Sequence, residues 1–425
     1  MWDEPVNILQ KAFSINQEQS LGHAAIEKLQ KKRLEKILKC AYRTPHYRNL
    51  MERESLSIAD IVEDISLLPI TRKDEVRQSP ESLIQDGIPK ESLSIYKTSG
   101  STGTPMSIYV DREMFWHRVA SNYQAEISFG RSPVELFAHI TAMNRAMAVH
   151  PILKKLKLFP VMHLPIINGE EENLSALQKN NAKMIRSYPS ALNILAKLNS
   201  IKKTPLKVKS ILSGGEHLSE KSRKYIEESF SCPVFNRYGA IECPSLAKDC
   251  TEEKNLHITE GSYLVEIVDK KGKPVKSGTG EIVITHFFNK SMPFVRYSTG
   301  DLGCWGKECS CGRNSRVLKS LEGRESEMIV LPSGKTIPAF SLALLPLESV
   351  FAGVLNYQIV QEKEDLLVVR YVAMLGGITE KTKEEIKKII DEVCLGEVKV
   401  EFEEANEIKP GKTGKRKNFV SKIKH

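Results

Sequence analysis

The 425-residue chain has few of the features that mark membrane or secreted proteins. No stretch approaches the run of about 20 apolar residues that a bilayer span requires. The start, Met1–Pro5, lacks the basic and then apolar layout of a secretory signal. Only 8 cysteines are present, which is too few for a disulfide scaffold. These absences predict a cytoplasmic globular protein with reduced thiols and no membrane span.

The chain has only a small excess of positive over negative side chains. Lys and Arg outnumber Asp and Glu by 62 to 53, a formal net charge of +9. The lysines alternate with glutamates, as in residues 380–385, and such alternation favours a solvated surface. The chain lacks a helix-turn-helix, an aromatic RNA-binding signature and regular zinc-finger spacing. We therefore expect no nucleic-acid partner, although an anionic small molecule such as a nucleotide fits the charge.

Strand and helix patterns alternate along much of the chain. They predict helices at 21–43, 58–65, 111–129, 189–198 and after Ser219, and strands at 182–186, 208–212 and 234–238. Alternation of this kind predicts a largely parallel sheet with helices on both faces. A period-two pattern from residue 262 to about 323 predicts an antiparallel β-subdomain.

The last hundred residues predict a small α+β unit. Strands are expected at 366–371 and 397–402, and a helix at 386–393 whose start carries Thr382 and Glu385 in capping-box spacing. The predicted fold class is therefore α/β. It comprises a large N-terminal domain (1–323) of α/β subdomains plus a β-rich subdomain, and a small mobile α+β C-terminal domain (324–425).

A loop rich in hydroxyl groups and glycine lies between two predicted strands at 93–95 and 108–110. Residues Thr98–Pro105 read Thr-Ser-Gly-Ser-Thr-Gly-Thr-Pro. Glycine permits close approach, so backbone N–H and side-chain O–H groups of such a loop can surround a phosphate. The loop is not a common P-loop, which requires Gly-x-x-x-x-Gly-Lys-Ser/Thr. A flexible turn is the alternative interpretation of this stretch alone.

Five further motifs follow this loop in order: Ser213–Glu216, Arg237–Glu242, Tyr297–Asp301, Gly323–Arg324 and Gly414–Lys415. Together with the loop they resemble the adenylate-forming superfamily of acyl-CoA ligases, amino-acid-activating domains and luciferases. Four other segments are similar to its phenylacetate-CoA ligase branch, which includes capsule-biosynthesis (CapK-type) proteins: Cys40–Arg48, Leu67–Lys73, Met292–Tyr297 and Cys309–Arg313. Two positions depart from the pattern, since Thr104 replaces a frequent lysine and Ser326 replaces a hinge aspartate.

The resemblance implies a reaction and a set of site residues. A carboxylic acid would be activated by ATP to an acyl-adenylate with release of pyrophosphate. The acyl group would then pass to an acceptor, most simply the thiol of coenzyme A, or to an amine or hydroxyl. ATP or AMP would be bound by Thr98, Ser99, Gly100, Ser101, Thr102, Gly103, Gly214, Gly215, Glu216, Arg237, Tyr238, Gly239, Asp301 and Arg324.

Within that set the resemblance gives individual roles. Tyr238 would lie against adenine, Asp301 would accept both ribose hydroxyls, and Glu242 would reach Mg²⁺. Lys415, Glu242 and Thr102 would be catalytic, with Lys412 as the competitor for Lys415 because it also follows a glycine. Without the resemblance, the favoured interpretations are a core tyrosine for Tyr238 and an ordinary turn glutamate for Glu242, and a helix cap is the alternative for Asp301.

Four residues resemble a structural zinc site of this branch: Cys250, His257, Cys309 and Cys311. Three thiolates and one imidazole form an ordinary closed zinc site. Cys243 and Cys304 are alternative ligands, and scattered reduced thiols are the alternative interpretation. A non-catalytic zinc-stabilised binding protein on the same fold is the rival function. The sequence leaves the identity of the acid open, and also the oligomeric state, including a homodimer.

Overall fold

The computed structural model describes residues 4–97, 106–141, 155–324, 328–339, 342, 353–374, 377–411 and 414–423. The chain divides into two compact units, each made of three segments. The first comprises Met1–Val134, Met147–Pro160 and Phe235–Glu322; the second comprises Glu135–Ala146, Val161–Val234 and Gly323–His425. The predicted division into a large domain and a mobile small domain at residue 323 stays a prediction.

The helices of the first unit are α1 (Glu4–Glu18), α2 (His23–Ala41), α3 (Pro45–Arg53), α4 (Ile58–Glu63), α5 (Lys73–Gln78) and α6 (Arg112–Ser128). Local sequence explains their bounds. Thr44 caps α3 by accepting the N–H of Tyr47, and Pro45 occupies the first turn, where its missing N–H costs nothing. Asp111 caps α6 in the same way. The predicted helices near 21–43, 58–65 and 111–129 are thus confirmed.

The strands of the first unit are β1 (Ser94–Lys97), β2 (Ser107–Val110), β7 (Val234–Tyr238), β8 (Ala247–Asp249), β9 (Leu256–Ile258), β10 (Tyr263–Val268), β11 (Thr279–His286), β12 (Phe294–Trp305) and β13 (Val317–Arg324). Neighbouring strands in the sheet run in the order β10-β11-β12-β13-β9-β8-β7. The β10–β11 and β11–β12 pairs are antiparallel, which confirms the predicted β-subdomain. The core of this unit packs α2–α5 against these strands.

The second unit contains a parallel sheet and a small α+β part. Its strands are β3 (Phe137–Thr141), β4 (Val161–Pro165), β5 (Met184–Ser187), β6 (Ser210–Gly214), β14 (Met328–Val330), β15 (Thr336–Pro338), β16 (Val354–Lys363), β17 (Leu366–Ala373), β18 (Lys399–Glu404) and β19 (Phe419–Ser421). Its helices are α7 (Glu170–Lys179), α8 (Pro189–Ser200), α9 (Glu220–Phe230) and α10 (Glu380–Val393). β4, β3, β5 and β6 pair in parallel, and α7–α9 share one apolar core with them.

The small part has its own sheet, in the order β18-β17-β16-β19, and its own core with α10. One local prediction was wrong here. The helix begins one turn before the predicted capping box, because Thr379 is the N-cap and accepts the N–H of Thr382.

Among the described residues, no helix combines the length and apolar character that a bilayer span would need.

Candidate active site

The predicted phosphate loop joins two paired strands. β1 and β2 are antiparallel, with Lys97 opposite Ser107, so the two ends of the loop are neighbours. This confirms the two strands that were predicted to flank the loop. The loop residues Thr98, Ser99, Gly100, Ser101, Thr102 and Gly103 lie outside the described residues.

In the first unit, Tyr238 and Asp301 are brought together from distant parts of the sequence. Tyr238 ends β7, and its hydroxyl donates a hydrogen bond to Asp301 Oδ2 on β12 at 2.8 Å. Burial, and then the negative charge of Asp301, raise the pKa of the Tyr238 phenol well above its ordinary value. The phenol therefore stays protonated and holds the carboxylate in one orientation.

The turn after β7 folds tightly back on itself. A Cβ at Gly239 would lie 2.7 Å from the backbone nitrogen of Ser245 and 2.8 Å from the carbonyl oxygen of Cys243, so only glycine fits. The turn carries Glu242 into the interior, where the residue is only 3% exposed. Its Oε1 accepts a hydrogen bond from the Tyr297 hydroxyl at 3.2 Å and lies 3.3 Å from Lys73 Nζ.

Arg237, the remaining predicted residue of this motif, lies on β7. Its guanidinium donates to the side-chain oxygen of Asn122 on α6. Arg324 ends β13, and its side chain is outside the described residues.

In the second unit, the end of β6 meets the C-terminal loop. Gly214 ends the strand, and Gly215 has a φ of +87°, a conformation that favours glycine. A Cβ at Gly215 would lie 3.1 Å from the ring of Tyr188 and 3.4 Å from Cε of Lys415. Lys415, which the resemblance assigns to catalysis, therefore extends over Gly215. The resemblance assigns this glycine to nucleotide binding.

Glu216 is half-buried beside these residues, and both of its carboxylate oxygens accept hydrogen bonds. Oε2 accepts the backbone N–H of Ser190 at 3.0 Å, and Oε1 accepts the backbone N–H of Arg416 at 2.9 Å. Burial raises the pKa of Glu216, while the two N–H groups and the charge of Lys415 oppose that shift. Ser190 lies in the first turn of α8, and the N-cap residue of this helix, Tyr188, makes no capping hydrogen bond with its side chain. The Glu216 carboxylate therefore accepts one of the free N–H groups at the start of α8.

The loop that carries Lys415 has defined internal hydrogen bonds. The N–H of Gly411 donates to the Lys415 carbonyl at 2.9 Å, and the N–H of Gly414 donates to the Gly411 carbonyl at 2.8 Å. The competitor Lys412 lies outside the described residues.

Four candidate metal ligands converge in the first unit. The ligand atoms of Cys250, His257, Cys309 and Cys311 all lie within 4.8 Å of one another. Cys311 Sγ and His257 Nε2 are 3.4 Å apart. A tetrahedral zinc with Zn–S of about 2.3 Å and Zn–N of about 2.0 Å separates sulfur from nitrogen by about 3.5 Å. The residues therefore fit zinc, and the alternative ligands Cys243 and Cys304 are not members of this group.

The surroundings of the cluster suit a metal as well. His257 Nδ1 lies 2.9 Å from the Ser315 hydroxyl, which orients the ring and leaves Nε2 toward the thiols. Burial lowers the pKa of His257 to about 4, so the imidazole is neutral at pH 7, as ligation requires. Burial opposes ionisation of Cys250, but hydrogen bonds from the backbone N–H groups of Glu253 and Glu252 and from the Cys311 and Cys309 thiols together outweigh it, and the pKa of the Cys250 thiol is lowered.

Comparison with known proteins identifies the family. The family model described as "AMP-binding enzyme" matches residues 52–287, more than half of the chain. The chain belongs to this family. This AMP-binding enzyme is 27% identical over 371 residues to a phenylacetate-coenzyme A ligase of Thermus thermophilus, covering 82% of this chain and 81% of that protein. It is 24% identical over 402 residues to protein CapK of Staphylococcus aureus, covering 89% and 85%.

The fold of this AMP-binding enzyme is that of adenylate-forming enzymes. A 2-hydroxyisobutyryl-CoA ligase, solved in the postadenylation state in complex with R3-HIB-AMP, superposes with a TM-score of 0.78 at 18% identity, covering 96% of this chain and 91% of that chain. The predicted family and fold class are confirmed by these comparisons.

Sequence reasoning missed several partners of the site residues. Nothing in the sequence pairs Lys73 with Glu242, or Ser190 and Arg416 with Glu216, because these contacts join residues far apart along the chain. Arg416 alone carried a signal, since it directly follows the predicted catalytic lysine.

Proposed function

We propose that this AMP-binding enzyme activates a carboxylic acid with ATP. A carboxylate oxygen bonds to the α-phosphorus, the bond to the pyrophosphate oxygen breaks, and an acyl-adenylate forms. The observation that supports this most directly is the placement of Lys415 over Gly215, with Glu216 bound to the next residue of the same loop. The family match, and the R3-HIB-AMP bound to the similar 2-hydroxyisobutyryl-CoA ligase, support the same chemistry.

Lys415 is the proposed catalytic residue. Its ammonium is a compact charge on a long flexible stem. It would contact the acyl carboxylate and the α-phosphate, where negative charge builds during the transfer. A contact made mainly in the transition state lowers the barrier rather than only tightening binding.

Asp301 and Tyr238 are proposed to hold the nucleoside. A carboxylate can accept hydrogen bonds from two ribose hydroxyls at once. The Tyr238 hydroxyl keeps the carboxylate of Asp301 in one orientation. Glu242 supplies carboxylate oxygens of the kind that Mg²⁺ prefers. Lys73 and Tyr297 hold its Oε1, which positions the carboxylate.

The second step is proposed to be attack of a thiol on the acyl carbonyl, with formation of a thioester and departure of AMP. Coenzyme A is the favoured acceptor, because the matched Thermus protein is named as a phenylacetate-coenzyme A ligase. Transfer to an amine or hydroxyl is the second candidate, because one relative that covers 89% of the chain, protein CapK, is not named as a coenzyme A ligase. The proposal also includes one structural zinc, held by Cys250, His257, Cys309 and Cys311.

Pyrophosphate–ATP exchange with a panel of carboxylic acids tests this function. We expect exchange with at least one acid, and a loss of about 10²- to 10³-fold for Lys415→Ala, the size typical of removing one transition-state donor. Lys409→Ala, at a side chain that is 80% exposed in the same loop, is the matched control. If Lys412→Ala abolishes exchange while Lys415→Ala retains it, Lys412 is the catalytic lysine. Exchange with no acid in the panel would refute the function.

A further inference from the structure

Arg416, the residue after the proposed catalytic lysine, forms a buried ion pair within the second unit. Its guanidinium lies 2.7 Å from Glu170 Oε1, and both side chains are 8% exposed. Glu170 begins α7, where a carboxylate also benefits from the positive end of the helix dipole. Its neighbours Glu171 and Glu172 in the same turn are exposed, so Glu170 alone is directed inward.

The backbone of Arg416 is held at a second point. Its N–H donates to Glu216 Oε1 at 2.9 Å, and the other oxygen of Glu216 is anchored to the first turn of α8 through Ser190. The side chain of this one residue is thus bound to a carboxylate in the first turn of α7, and its main chain to a carboxylate in the segment after β6. Such a double attachment fixes both the position and the rotation of the peptide that precedes it.

That peptide contains Lys415. The loop brings residues 415 and 416 against residues 215 and 216 in the same order: Lys415 Cε lies next to Gly215, and the N–H of Arg416 bonds to Glu216. A lysine side chain has four rotatable bonds, so the position of its ammonium depends on where its Cα is held. The attachment of Arg416 therefore determines where the Lys415 ammonium can reach.

We propose that Glu170, Arg416 and Glu216 form a latch that positions Lys415 for acyl-adenylate formation. This inference rests on the proposed function. Glu170 and Glu216 act through the loop and are positioning residues. A buried ion pair contributes little net stability compared with an apolar contact, because desolvation offsets the Coulomb attraction. The latch can therefore specify one arrangement of the loop and still open once the adenylate has formed.

Glu170→Gln tests the latch, with Glu171→Gln as the control. The first substitution removes the charge but keeps the size of the side chain, and it leaves the buried guanidinium of Arg416 without its counter-ion. With the acid that gives the fastest exchange in wild type, kcat for exchange should fall at least about tenfold, while KM for ATP stays within about twofold. Thioester formation from the preformed acyl-adenylate and coenzyme A should keep its wild-type rate. Glu171→Gln should match wild type in both assays.

A double-mutant cycle separates a positioning role from general destabilisation. Glu170→Gln and Arg416→Gln remove the two ends of one interaction, so the double variant should lose no more exchange activity than the worse single variant. Arg416→Lys should recover part of the rate lost in Arg416→Gln. Additive losses, or equal losses in both half-reactions, would overturn the latch.

A readout without substrate completes the test. Hydrogen–deuterium exchange of peptides covering residues 411–423 should accelerate in Glu170→Gln and in Glu216→Gln, but not in Glu171→Gln. If wild type shows pyrophosphate exchange and Glu170→Gln matches it in rate and in amide protection, the latch is wrong while the function stands. If wild type shows no exchange with any acid, the function itself fails.

Discussion

The cluster of Cys250, His257, Cys309 and Cys311 is predicted to lose zinc when one of its thiolates is removed. Cys311→Ser replaces one thiolate with a hydroxyl that does not ionise at neutral pH. Cys311 Sγ is 3.4 Å from His257 Nε2, close to the separation expected around a tetrahedral zinc, so this sulfur is expected to bind the metal directly. Cys304→Ser is the matched control, because Cys304 is a free, half-buried cysteine outside the group of ligands.

The expected effect follows from mass action. If losing one of four ligands weakens zinc binding by about 100-fold, the stabilisation that zinc gives to the folded state falls by RT ln 100, about 2.7 kcal/mol. For a unit of roughly 200 residues this corresponds to a decrease in Tm of about 5–10 °C. The control variant should change the Tm by much less, since its thiol makes only one long contact, 3.5 Å from the carbonyl oxygen of Trp305, which a serine hydroxyl can also donate to.

Metal analysis and thermal unfolding check both parts. Wild type and Cys304→Ser, purified from zinc-containing medium without chelator, should hold about one zinc per chain, and Cys311→Ser should hold much less. A strong chelator should lower the Tm of wild type to near that of Cys311→Ser. Absence of zinc from active wild type would refute the site. Retention of zinc by Cys311→Ser but not by Cys304→Ser would make Cys304 the ligand.

Three further predictions concern the first unit. Asp301→Asn should weaken ATP binding by about 10- to 150-fold in calorimetry, since losing one charge-assisted hydrogen bond costs about 1.5–3 kcal/mol; unchanged affinity in a folded variant would contradict the ribose role. Gly239→Ala should lower the free energy of unfolding by about 1–3 kcal/mol in urea, because its Cβ would overlap backbone atoms of the same turn at 2.7 Å and 2.8 Å. Burial lowers the pKa of His286 from 6.5 to about 3, so between these two pH values the unfolded state binds a proton at His286 and the folded state does not. This part of the stability is complete above pH 6.5 and is lost as the pH falls toward 3, by up to about 5 kcal/mol. His286→Phe should therefore flatten the pH dependence of unfolding, and an unchanged slope would contradict it.

Local sequence predicted most of the regular structure, because its causes are local. The helix predicted after Ser219 is α9, and Ser219 is its N-cap, since a hydroxyl before a helix accepts hydrogen bonds from the first free N–H groups. The strand predicted at residues 234–238 is β7, since a short apolar-rich run before glycine favours a strand end. The same rules misplaced the start of α10, where Thr379 and Thr382 both present a hydroxyl and only the backbone decides which one caps.

The family and the fold could also be read from the sequence, because ordered motifs persist when most other residues change. Tyr238 and Asp301 were each assigned to the nucleotide from such motifs. Their direct hydrogen bond was not predicted, because it joins strands β7 and β12, which are separated by four other strands along the chain.

Tertiary structure alone decided which polar groups share a partner. Glu170 and Arg416 are 246 residues apart, and in the sequence Glu170 is one of three consecutive glutamates with no distinguishing mark. Only folding turns the first of the three inward, where desolvation makes its pairing with a guanidinium necessary. Sequence patterns record the local preferences of the backbone and the apolar faces. The partner of a buried charge is determined by which elements pack together, and that information is spread over the whole chain.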